Sequence, residues 1–137
     1  MKRIVYSLSF LGLALLLLLS SCKSEAIYID AKDSHYVDYQ IENDKVSIKC
    51  FVTIMNEYDV EKSVTLSASL PKDVELGLLK DERVRAQNED GTDMVFILQP
   101  HSASSFDVCF VGDYAGTNQK SDRNLPEIDI TIKESNK

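Results

Sequence analysis

The chain has 137 residues, 22 acidic and 15 basic, with a formal net charge of −7; that is one domain's length, too short for a typical multidomain enzyme. Lys2 and Arg3 are the only charges in the first 21 residues, so the other 13 basic residues stand against all 22 acids, a net of −9 beyond Ser21. This balance argues against nucleic acid, whose binding rests on neutralised phosphates, and against spreading on anionic lipid headgroups, while 27% charged and 44% hydrophobic residues argue against wholesale disorder.

Lys2 and Arg3 precede an apolar stretch of 16 residues, Ile4 to Leu19, broken only by Ser7 and Ser9. A positive start, an apolar middle and small residues at the exit describe a secretory signal peptide. As a helix, 16 residues reach only about 24 Å, short of the roughly 30 Å hydrocarbon core. The stretch ends in Leu19-Ser20-Ser21-Cys22, which resembles the lipobox of bacterial lipoproteins. The resemblance implies lipid attachment at the Cys22 thiol, cleavage after Ser21, and anchoring of the mature chain in the cell envelope through its acyl chains. It also implies that Lys23, where Asp resembles an inner-membrane retention signal in a host with two membranes, permits export to the outer membrane. Residues 1–21 are thus read as a lipoprotein signal peptide, 22–34 as a short tether, and 35–137 as one domain.

Within the domain the side chains alternate with period two, the mark of half-buried strands. Val37, Tyr39 and Ile41 are followed by a turn at Asn43-Asp44. Val46, Ile48, Cys50, Val52 and Ile54 form a long strand, closed by the turn residues Asn56 to Asp59. Val64, Leu66, Ala68 and Leu70 alternate with Ser63, Thr65, Ser67 and Ser69 until Pro71. Residues 72–82 suit either a short strand or a helical turn. Val84 to Ala86 and Met94 to Leu98 flank the loop Asn88-Glu89-Asp90-Gly91 as a hairpin. Phe106, Val108 and Phe110, then a long polar loop from Asp113 to Asn124, then Ile128, Ile130 and Ile132 complete the chain. About seven strands with one apolar face each predict an all-β fold, an immunoglobulin-like antiparallel β-sandwich; a small open barrel is the alternative. Ile48, Val52, Leu66, Phe106, Val108, Phe110 and Ile130 are the expected core.

Cys50 and Cys109, 59 residues apart on the second and sixth predicted strands, resemble in placement the inter-sheet bridge of immunoglobulin domains. The resemblance implies a disulfide. The chain departs from the immunoglobulin pattern in having no Trp and in carrying Asp107 where a tyrosine corner needs Tyr. Parity opposes the two thiols, since Cys50 shares a face with Ile48 and Val52 while Cys109 opposes Val108 and Phe110. Either a bulge restores the pairing or the two act as separate small hydrophobes.

The Asn88 to Asp93 segment has a calcium-loop composition, but placing Gly91 at the sixth position of such a loop puts Ala86 and Ile97 where acidic ligands belong; a hairpin turn explains it without metal. His35 and His101 have no Cys or His at ligand spacing. No nucleophile elbow and no zinc-protease motif occurs. No cofactor, metal or catalytic group is therefore expected. The function predicted is a membrane-anchored binding or accessory module with a protein partner. The alternative is an inhibitor or immunity lipoprotein for a basic hydrolase such as a lysozyme, supported by charge alone; a hydrolase using surface carboxylates ranks last.

Overall fold

Val46, Ile48, Cys50, Val52 and Ile54, the alternate residues of one long strand, are each at most 1% exposed. That strand, β3 (Lys45–Asn56), organises half of the molecule in the computed structural model, which describes residues 26–118 and 123–133. One edge of β3 pairs along its whole length with β7 (Ser102–Asp113). Its other edge is shared: β1 (Ile27–Ile29) pairs with residues 54–56, and β2 (His35–Glu42) with residues 45–51. The β2–β3 connection is the expected turn, and Asn43 and Asp44 both hold positive φ, 52° and 61°. A two-residue hairpin needs that twist, and Asn and Asp adopt it with little strain.

The second arm is built on β4 (Lys62–Ser69). One of its edges pairs with β8 (Glu127–Lys133), the other with β5 (Arg83–Ala86) and β6 (Phe96–Leu98). β5 also pairs with β7 through Arg85 and Ala86, which joins both arms into one antiparallel network of eight strands. β5 can lie this close to β7 because Gly112 has no side chain; a Cβ there would sit 2.6 Å from Val84 Cγ1 and 2.9 Å from Leu79 Cδ2.

One apolar cluster takes side chains from both arms: Val46 to Ile54, Val108 and Phe110 from the first; Val64, Leu66, Ala68, Phe96 and Leu98 from the second. Phe96 of β6 meets Phe106 of β7 edge to face, centroids 4.9 Å apart, although the two strands share no ladder. Of the expected core, Ile48, Val52, Leu66, Val108 and Phe110 are fully buried, whereas Phe106 and Ile130 pack against the cluster partly exposed. Ile130 is less covered because β8 forms a ladder on one side only.

Two expectations change, and one open alternative is decided. The described residues hold eight strands, because Ile27–Ile29, inside the stretch read as tether, pairs with β3 and buries Ile27. The strand expected from Phe106 starts four residues earlier, at Ser102, as β7. Residues 71–75 resolve as a short helix, α1 (Pro71–Glu75), with Pro71 in its first turn. Gly77, at φ 78°, ends it: the Leu78 N–H donates to Asp73 O and the Gly77 N–H to Val74 O, at 2.9 and 3.1 Å. This double capping needs the left-handed conformation that Gly adopts freely. It turns the chain so that Leu78 and Leu79, each 1% exposed, close the bottom of the core.

Candidate functional site

The molecule has two ends. The chain enters at Ala26 and leaves β8 at Lys133 at the near end, where the Glu57 N–H donates to Ala26 O at 2.7 Å. Asn56 braces this end. It is fully buried; its Nδ2 donates to the carbonyls of Val60, Leu98 and Gln99 at 3.1–3.2 Å, and its Oδ1 accepts from the Tyr58 N–H at 3.0 Å. His101, at φ 49°, donates its backbone N–H to Tyr58 O in the same corner. His35 lies elsewhere, stacked on Phe51 at 5.3 Å. The structure does not bring the two histidines together in a site.

At the far end, the loop after β5 overhangs the outward face of β2, β3 and β7 and encloses a polar concavity of about 630 Å³. Its lining includes Gln40, Glu42, Lys45, Lys49, Gln87, Asn88, Glu89, Asp90 and Cys109. The overhang is the segment with calcium-loop composition, closed by its own hydrogen bonds. Asn88 N–H donates to Thr92 O at 2.8 Å, Gly91 N–H to Asn88 O at 3.0 Å, and Asp90 Oδ1 accepts from both the N–H and the hydroxyl of Thr92. Those two donors hold the Asp90 carboxyl below its ordinary range. Among the described residues no three His, Cys, Asp or Glu side chains are grouped to hold a metal. Lys45 forms an ion pair with Asp113, and its hydrogen bond and charge hold that carboxyl low as well. Lys49 faces Cys109 across the β3–β7 ladder. The concavity thus offers two ammonium groups, amides, carboxylates and a thiol on a rigid floor, a surface suited to hydrogen-bonded recognition.

The two cysteines do not form the inter-sheet bridge. Both are free, and they sit on neighbouring strands of one ladder, where Cys50 faces Val108 and Cys109 faces Lys49. The ladder has no bulge between them, so the opposed parity stands: Cys50 points into the core and Cys109 into the concavity. Burial pushes the Cys50 thiol up to about 11 from 9.0. Below pH 9 the folded and unfolded chains both keep this proton. Between 9 and 11 the unfolded chain loses a proton the folded chain keeps, so stability falls with rising pH, by at most about 1.4 kcal/mol per unit from this group. A Cys50→Ala variant is expected to lose less stability than the parent over that window in denaturant titrations; equal slopes would assign the loss to other groups. In the folded protein a thiol reagent should modify Cys109 at least ten times faster than Cys50.

A second far-end feature lies beside the concavity. Arg123, at the end of the long polar loop, reaches Asp73 of α1, Nη2 to Oδ1 2.7 Å, with both side chains only 8% exposed. Its guanidinium stacks over the Tyr39 ring at 4.4 Å, and the Tyr39 hydroxyl donates to Asn118 Oδ1. The Arg–Asp contact is one of charge more than of aligned hydrogen bonds, since Nε and Nη2 have no well-directed acceptor among the described residues. Loop, helix and β2 are clasped together here. Asp73 lies 50 positions before Arg123, so nothing local in the sequence marks the pair.

Cys22, the expected lipid site, lies outside the described residues, and no helix among them is long and apolar enough to cross a membrane. Comparison with protein families, with curated proteins and with solved structures found no match to this chain.

Proposed function

We propose that the chain is an exported lipoprotein, anchored through Cys22, whose domain serves the cell envelope as a binding or accessory module. The observation that carries this reading is Leu19-Ser20-Ser21-Cys22 at the end of a charged-then-apolar leader. Residues 23–26 are the only link between that Cys and β1, about 14 Å at full extension. Two or three acyl chains hold such a protein stably, where one would not. The domain is accordingly held against its membrane, and the concavity with Lys45 and Lys49 lies at the end remote from Ala26, available to a protein partner. An immunoglobulin-like sandwich is the architecture we propose for the domain; its support is the single core filled from both arms. The reading requires no cofactor and no nucleic acid.

Cys22→Ala is expected to move the protein out of the membrane fraction or to leave an unprocessed precursor. Unchanged fractionation with normal processing after Ser21 overturns the anchor. For the binding role, a photo-crosslinker at Gln40, on the concavity, is expected to capture an envelope protein that a crosslinker at the exposed Val60, at the near end, does not. Equal capture from both positions overturns the assignment of the concavity.

A further inference from the structure

Among the described residues β1, β2, β6 and β8 each have one edge with no ladder, and β7 pairs on its second edge only at Phe110 and Val111, its open stretch beginning Ser102-Ala103-Ser104-Ser105; these edges are not alike. β1 and β6 have three residues each, too short to template much pairing. β2 is eight residues long but its register slips between Tyr36 and Asp38, a bulge of the kind that blunts an edge. β8 is seven residues, Glu127–Lys133, in unbroken register with β4. It contains no proline, no bulge and no charge pointing toward the core. Its core-side residues are Ile128, Ile130 and Ile132, and Ile132 is still 42% exposed. A groove of about 510 Å³ runs along this free edge between β8 and β1, with Ile27, Ile29 and Tyr58 on its other walls. β8 alternates isoleucines with outward Glu127, Asp129, Thr131 and Lys133, so its edge is guarded only by outward charges, and natural sheets rarely leave a straight edge of this length open unless something blunts or pairs it.

The sequence of β8 says which partner fits. Written against itself in antiparallel sense about Ile130, Glu-Ile-Asp-Ile-Thr-Ile-Lys places Glu127 opposite Lys133 of a second copy, and Lys133 opposite its Glu127. Ile128 meets Ile132, and Asp129 meets Thr131. Each outward charge at the strand ends faces its opposite, and each isoleucine on the groove side faces an isoleucine. Opposite charges and β-branched pairs directly across a ladder both stabilise it. We propose that β8 is a self-complementary docking edge, and that two copies of this chain join through it as a twofold dimer with one sheet running through both. The second β8 brings its own three isoleucines to the groove. The pairing sets the two Ala26 residues at opposite ends of the dimer, so two anchored copies lie with their strands along the membrane rather than upright. The dimer itself is independent of lipid attachment.

The test uses the full chain in cells, two differently tagged copies being co-expressed and oxidised with diamide. One carries Asp129→Cys and the other Thr131→Cys, positions that face each other across the proposed ladder within about 5.5 Å, close to bridging range. The mixed pair is expected to give at least ten times more disulfide-linked dimer than either variant alone. Adding Lys133→Glu to both copies should cut that yield several-fold by setting like charges opposite each other twice, and adding Glu127→Lys as well should restore it. A mixed pair no better than the single variants, a yield indifferent to both charge changes, or capture of a different protein by the β8 cysteines would each overturn self-pairing.

Discussion

Phe110→Ala is expected to lower the stability of the domain by about 3–5 kcal/mol, the range for removing a fully buried aromatic ring. Phe110 is 0% exposed and faces Ile48 on β3 and Ala86 on β5. It therefore sits where the ladder passes from one arm to the other, over the two residues by which β5 holds β7. A cavity here removes packing from both arms at once. In urea the midpoint should fall while the slope is unchanged, as for a loss of stability without a change in surface exposed. Phe106→Ala, on the same strand but only partly buried against Phe96, should cost distinctly less. A loss below about 1 kcal/mol for Phe110→Ala would mean the ring is not the core residue described, because that is the scale of a single methylene.

Asp73→Ala should be comparably severe for a different reason. It leaves the Arg123 guanidinium, whose side chain is 8% exposed, without its counter-charge, and removing one partner of a buried pair costs about 3–5 kcal/mol. The site joins α1, β2 and the loop before β8, so the damage should begin locally. Amide exchange is expected to rise first around Tyr114 to Thr117 and in α1. Replacing both partners, Asp73→Leu with Arg123→Met, should return most of the stability, since an apolar pair of similar size no longer buries a lone charge. If the single and double changes add without coupling in a mutant cycle, the contact is not the clasp described here.

Much of this fold was legible because strand alternation is a local property. The five buried apolar residues of β3, the hydroxyl-bearing outer face of β4 and the three isoleucines of β8 each repeat with period two, and the structure buries the apolar set of β3 and β4 completely. The Asn43-Asp44 turn could be read for the same reason. What was not legible depends on distant partners. β1 has three residues, fewer than two full alternations, and becomes a strand only because β3 offers it an edge. The first four residues of β7, Ser102 to Ser105, carry no apolar pattern because part of the segment meets polar neighbours: the Ser105 hydroxyl lies 2.7 Å from that of Thr53, itself bonded to Asp33 O. Arg123 had 22 acids to choose from, and nothing near it in sequence marks Asp73. The joining of both arms through β5 rests on Gly112, whose missing side chain matters only once Val84 and Leu79 stand over it. For the thiols, parity read along two strands pointed the right way, toward separation.

The β3–β7 ladder, the longest in the molecule, connects residues far apart in the chain, from 46 positions (Asn56 with Ser102) to 68 (Lys45 with Asp113). Its loops must close before its contacts repay the lost chain entropy. Domains of this topology fold in milliseconds to seconds rather than microseconds. A polypeptide that threads through a membrane must stay unfolded until it has crossed, and one whose central pairing spans half its length cannot assemble that pairing while only its first half has emerged. The slow step is thus built into the connectivity: under the export proposed above, β3 and β7 could not pair until Ser102–Asp113 had crossed.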